Sequence, residues 1–192
     1  KVPFKAKSLG ADLISVSGHK IHAAKGTGAL YIRQGLNLPP FILGGGQERG
    51  QRSGTENLPG ICGFGAACAA QLPRMKDDIA RMTGLRDLCR AELSGISGVV
   101  LIGKQDAPHI VNLSVPGLRS QGLINCLQSD GIYVSAGSAC SKGRRSHVLE
   151  ALHLSPAVID GSIRVSLCAD NTEEDIHALC RALTYAIHTL KG

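Results

Sequence analysis

Six short apolar runs, spaced between helical stretches, constrain this chain most. The runs are Leu13–Val16, Ala29–Ile32, Val99–Ile102, His109–Val115, Gly131–Val134 and Ser162–Ser166. Each has the length of a strand rather than a helix, and each is preceded by glycine, proline or a polar residue. Between them lie segments whose apolar positions recur every three or four residues. In one, Met75, Ile79, Met82, Leu85, Leu88 and Cys89 form one stripe. Strands alternating with amphipathic helices place the chain in the α/β or α+β class.

The pattern is specific enough for individual expectations. Leu13, Ile14 and Val16 read as a buried strand. A helical region begins near Leu58 and continues, interrupted near Pro73, to Leu93. Gln121–Gln128 and Ser146–Leu152 read as shorter helices, and Gly131–Val134 as a strand. The last helix has the clearest start: Thr172 can cap the amide of Asp175, and Glu173, Glu174 and Asp175 suit the positive end of the helix dipole. The long helix after the first strands divides the chain into 1–78 and 79–192.

Composition narrows the classes of function. Hydrophobic content of 43% with 19% charge excludes a disordered chain, and 192 residues suffice for a core. The formal net charge of +6 comes from scattered basic residues, and three Phe and three Tyr offer few rings for stacking on bases. Direct nucleic-acid binding is not expected; a site for small anions is. No run has the length of a membrane span. The basic start, Lys1-Val-Pro-Phe, lacks a signal peptide's apolar stretch and an initiator Met. The expectation is a cytoplasmic protein and a piece of a longer chain. Seven cysteines show no metal-ligand spacing, so no metal site is expected. Those in apolar helical contexts, Cys62, Cys68 and Cys180, read as small buried hydrophobes.

Four segments carry chemistry. Ser17-Gly18-His19-Lys20 ends the first apolar run and is followed by Lys25-Gly26-Thr27-Gly28. A lysine there, beside hydroxyl and imidazole donors, is where an amine could meet a phosphorylated carbonyl cofactor. Gly44-Gly45-Gly46 leads into Arg52-Ser53-Gly54-Thr55, which offers close backbone approach and donors for an anion. Cys140 sits in a run of small residues, Ser135-Ala-Gly-Ser-Ala-Cys140-Ser, just before Lys142, Arg144 and Arg145, whose charge favours the thiolate. Arg164 alternates with Ile163 and Val165, so it points away from them, toward solvent or a carboxylate.

In this order and spacing, together with Asn171-Thr172-Glu-Glu-Asp175-Ile176, these segments resemble the C-terminal half of a cysteine desulfurase of the NifS/IscS group, in the class V aminotransferase family. The resemblance runs from about Ser8 to Thr189. It implies an α/β PLP-dependent transferase of fold type I, with the end of the large domain followed by a small α+β domain. It implies pyridoxal 5'-phosphate (PLP) joined to the amine of Lys20, which then moves a proton at the substrate α-carbon. Ser17 and His19 would bind the cofactor phosphate, and Thr55 the phosphate of the neighbouring subunit in a homodimer. Arg164 would pair with the carboxylate of L-cysteine. Cys140 would take the sulfur as a persulfide and pass it to an acceptor, an iron–sulfur scaffold or a tRNA-thiolation protein. Other implied readings are a selenocysteine lyase, another aminotransferase-like enzyme, or a non-catalytic remnant that only dimerises or docks partners.

The sequence departs from the family in three places. Ala23-Ala24 stand where Gly-Pro is usual. Cys168 stands near a usual glycine, so it would be strained if its φ were positive. The family's N-terminal half, which supplies a histidine over the PLP ring, an aspartate on its nitrogen and a first phosphate loop, has no counterpart here. The chain alone is therefore expected to bind PLP poorly and to turn over little.

Overall fold

Ser17 pairs with Gly28 and closes the first hairpin. Strand β1 (Leu13–Ser17) lies antiparallel to β2 (Gly28–Ile32), in register from Leu13 opposite Ile32 to Ser17 opposite Gly28. A side chain at Gly28 would fall on the carbonyl oxygen of Val16, so only glycine lets the strands approach there. The computed structural model describes residues 2–104, 106–136 and 145–191. The chain divides into two compact units, Pro3–Lys76 and one beginning at Asp77.

In the first unit, a long connection follows the hairpin and leads to helix α1 (Leu58–Gln71), whose N-cap Asn57 accepts from the amide of Gly60 at 3.2 Å. Pro59 occupies its first turn, where a missing N–H costs nothing. The only buried residues of this unit are Gly18, Ser53 and Gly60. The expectation of a buried first strand is therefore wrong: Leu13 and Val16 are more than 40% exposed. The reason is topological, since β1 pairs only with β2 and no layer of this unit covers the two-stranded ribbon. Cys62 and Cys68 are likewise exposed on α1, not buried as expected.

Helix α2 (Met75–Ser94) leads into the second unit and inserts Met82, Leu85, Cys89 and Leu93 into its core. The sheet there has the order β3 (Val100–Leu101), β4 (Ile110–Ser114), β5 (Ser162–Ser166), all antiparallel. Alternation is clear in its centre. Val111 and Leu113 of β4 and Ile163 and Val165 of β5 are buried, whereas Asn112 and Arg164 between them face the other side. Helices α3 (Ser120–Ser129) and α6 (Glu173–Lys191) complete this core with Leu123, Leu127, Ile176, Leu179 and Leu183. Two short helices, α4 (His147–Ala151) and α5 (Pro156–Asp160), bring Leu149 and Ile159 against Ile102 in a second cluster.

Residues 131–134 are not a strand. The chain meets β5 at one bridge, Ser135 opposite Arg164, and residues 131–134 form no ladder. The start of α6 is as read: the Thr172 hydroxyl accepts from the Asp175 amide at 3.3 Å, and the Asp175 carboxylate accepts from the Thr172 amide at 2.9 Å. Helix α5 has no forecast in the sequence pattern. It is a single turn opened by Pro156 at N1.

Candidate functional site

Lys20 lies in a 3-10 turn, Gly18–Ile21, that directly continues β1. The turn is anchored at Gly18, which is buried and whose amide donates to the Thr27 carbonyl at 2.8 Å. It ends at His22, whose φ of 67° turns the chain away. Ser17, His19 and Lys20 are therefore all exposed around one rigid point. None of the three side chains is engaged in a hydrogen bond or ion pair with another described residue. An amine, an imidazole and a hydroxyl left free on one turn form a donor set that suits a phosphorylated aldehyde.

The second segment packs against the first through Thr27. The Thr27 methyl lies where a side chain at Gly60 would stand, and its hydroxyl lies 3.0 Å from where a Cβ on Gly18 would be. Thr27 thus fits between two glycines, one on the Lys20 turn and one in the first turn of α1. Its own hydroxyl donates to the Ala24 carbonyl at 2.8 Å. Thr55 stands just before that helix, exposed, in the same unit as Lys20. In the sequence Thr27 stands out only as part of a glycine-rich turn, and its flanking glycines, Gly26 and Gly28, are the available signal.

The loop before Thr55 is tightly knit. The Ser53 amide donates to the Ile42 carbonyl at 3.1 Å, and Ser53 is buried against Gly44. Gln47 Oε1 accepts from the Gly54 amide at 3.1 Å, and Arg52 reaches the Ser53 carbonyl at 3.0 Å. Gly44 and Gly46 have φ of 147° and 84°. Glu48 and Arg49, at 50° and 59°, hold the same left-handed region without glycine's freedom.

Arg164 belongs to the second unit. Its amide donates to Ser135 O at 2.6 Å and its carbonyl accepts from Ser135 N at 3.2 Å. Its Nε is buried and has no hydrogen-bond partner among the described residues. A buried donor without a partner is costly, and a carboxylate is its natural complement. Cys140 lies outside the described residues, as do Lys142 and Arg144. Cys168 is not strained, because its φ is not positive; its thiol and amide both point to Asn171 Oδ1, at 3.3 and 2.9 Å. Cys89 and Cys180 are poor nucleophiles. Burial pushes both thiols up to about 12, assisted at Cys180 by its hydrogen bond to Glu92. Among the described residues no group of His, Cys, Asp and Glu could hold a metal, and no helix is long and apolar enough to cross a membrane.

The class-V aminotransferases match this chain over residues 1–179. The chain belongs to that family. A cysteine desulfurase of Nostoc sp. (strain PCC 7120) is 39% identical over 197 residues, covering 100% of this chain and 49% of the relative. A cysteine desulfurase IscS of Clostridium botulinum is 40% identical over 95% of the chain and 48% of its own length. A solved NifS-like protein superposes with a TM-score of 0.88 at 36% identity, over 98% of this chain and 50% of that one. The fold is thus the α/β fold of aminotransferase-like, PLP-dependent transferases of fold type I. The chain spans about half the length of the curated relatives it matches.

Proposed function

We propose that this chain carries the cofactor lysine and the sulfur-accepting cysteine of a PLP-dependent cysteine desulfurase. Residues 1–78 are the end of its PLP-binding large domain and residues 79–192 its small domain. The observation that supports this most is the Lys20 turn, with its free amine beside free Ser17 and His19, in a member of the class-V family. Lys20 holds the cofactor through Nζ, and Ser17 and His19 donate to its phosphate. Bound PLP would draw electrons from the substrate α-carbon. Lys20 moves the proton at that carbon, and Arg164 orients the L-cysteine carboxylate. Cys140 takes the sulfur: its S–S bond forms as the substrate C–S bond breaks, leaving a persulfide and releasing L-alanine.

The same reading includes a homodimer in which Thr55 reaches the phosphate held by the neighbouring subunit. It includes delivery of the sulfur to an iron–sulfur scaffold or a tRNA-thiolation protein, in the cytoplasm. The experiment is to add PLP and L-cysteine to the chain joined to the N-terminal half of a cysteine desulfurase. An absorption band near the visible edge that disappears in Lys20→Ala, with alanine production that disappears in Cys140→Ala, supports the assignment. Alanine production that survives Cys140→Ala overturns it.

A further inference from the structure

Arg164 stands in a row of residues that crosses the sheet of the second unit. The Leu167 amide donates to the His109 carbonyl at 2.8 Å, and the Val115 amide to the Gly161 carbonyl at 3.1 Å. These bonds fix which pairs of the β4–β5 ladder exchange hydrogen bonds. Asn112 and Arg164, opposite each other in register, fall on the alternate positions. In such pairs the strands come closest, and opposed Cβ atoms stand about 5 Å apart on one face. Arg164 turns its own amide and carbonyl the other way, to Ser135. The Asn112 carbonyl accepts from the Ile102 amide at 2.8 Å, on the side away from β5. The row is thus Ile102, Asn112, Arg164 and Ser135, on the face opposite Val111, Leu113, Ile163 and Val165.

One end of the row is closed. Ile102 is buried with Leu149 and Ile159, and next to it on this face Ser114 is buried and donates to the Val158 carbonyl at 2.7 Å. Asn112 and Arg164 are only partly buried, and Arg164 Nε has no hydrogen-bond partner among the described residues. A guanidinium offers a planar fork of donors, and a carboxylate has two oxygens with about four acceptor sites. A carboxylate on Arg164 therefore keeps acceptor capacity for a neighbouring donor. Asn112 is that neighbour, and its amide nitrogen is an uncharged donor. Ser135 reaches less far, with a shorter side chain across a hydrogen-bonded pair whose Cα atoms stand about 5.5 Å apart. Resting on the reading of Arg164 as the partner of the substrate carboxylate, we propose that Asn112 is a second binding residue for that carboxylate, donating through Nδ2. The lack of charge on Asn112 matters, because an aspartate at this distance would pair with the guanidinium and exclude an anionic ligand. The two side chains together select amino acids with a free carboxylate over their uncharged amides.

The test reads binding and needs no turnover. The chain joined to the N-terminal half of a cysteine desulfurase is loaded with PLP, and L-alanine and L-alaninamide are titrated against its absorption band. The two compounds differ only at the carboxyl group, so the ratio of their dissociation constants isolates the carboxylate. Asn112→Leu removes the donor at similar volume. It should weaken L-alanine by about ten-fold or more, the scale of a hydrogen bond to a charged group, and leave L-alaninamide within about three-fold. Asn112→Asp, of the same shape, should weaken L-alanine further and spare L-alaninamide. A packing defect alone would move both compounds together. An unchanged preference for L-alanine in the two variants overturns the proposal, as does an equal loss for both compounds. If Asn112→Leu does not hold PLP, the isosteric Asn112→Asp decides by the same ratio. Failure of the Arg164 reading shows separately, as a preference for L-alanine that survives Arg164→Leu.

Discussion

Gly18→Ala tests whether the Lys20 turn is held as tightly as its geometry implies. A Cβ at this buried position would stand 3.0 Å from Thr27 Oγ1, 3.1 Å from Phe64 Cδ2 and 3.1 Å from the Thr27 carbonyl oxygen. Each neighbour would have to yield by a few tenths of an ångström. One of them is backbone, already accepting from the Gly18 amide at 2.8 Å. Overpacking of this kind costs about 1–3 kcal/mol. The site is small and faces solvent on the Lys20 side, so the lower half of that range is expected. The cost should be partly shared with Phe64. In the double variant Gly18→Ala/Phe64→Leu, relief of one contact in three should return a few tenths of a kcal/mol to about 1 kcal/mol as coupling. Hydrogen exchange of the β1 and β2 amides under native conditions reads the local stability. Gly63→Ala, in α1 with open space around it, is the control and should stabilise its helix by about 0.5–1 kcal/mol. A Gly18→Ala chain within about 0.5 kcal/mol of the parent, or no coupling to Phe64, would refute the packing argument.

Other outcomes follow from the second unit. Leu113→Ala, at a fully buried position in the central strand, should lower stability by about 2–5 kcal/mol in urea unfolding, whereas Phe41→Ala, almost fully exposed, should change it by less than about 0.5. Thr172→Ala should cost about 1 kcal/mol at neutral pH by removing the cap of α6. The Thr172 amide holds the Asp175 carboxyl below the usual carboxylate range. A lowered folded value adds stability above the ordinary carboxylate range, and that contribution disappears as pH falls through the lowered value. The pH dependence in that acidic window should flatten in Asp175→Asn. Finally, at pH 8 a thiol titrating near 12 is thiolate in only ~10⁻⁴ of molecules. Alkylation followed by mass spectrometry should label Cys62 and Cys68 long before Cys89 and Cys180.

The second unit was the more legible part of this chain, for a physical reason. The alternation around Arg164 and the cap at Thr172 are local patterns that the fold keeps, because each element there has a core on one side. The first unit was harder to read. The apolar run at Leu13–Val16 looks like any buried strand, and nothing in its residues tells that β1 and β2 pair only with each other in this unit. The exposure of Cys62 and Cys68 has the same origin. Residues 131–134 have strand composition, but strand formation needs a partner, and β5 offers one only at Ser135. Of the candidate site, the grouping of Ser17, His19 and Lys20 could be read directly, because one turn carries all three. Thr27 as the wedge between Gly18 and Gly60, and Asn112 as the neighbour of Arg164, depend on contacts between separate segments that no spacing encodes.

The most direct test follows the sulfur itself. The chain, joined to the N-terminal half of a cysteine desulfurase, is incubated with PLP and L-cysteine, digested without reductant, and each cysteine peptide is weighed. The account predicts a persulfide on the peptide that carries Cys140, absent in Lys20→Ala. A persulfide that forms equally in Lys20→Ala, or that appears on another cysteine and not on Cys140, would contradict it.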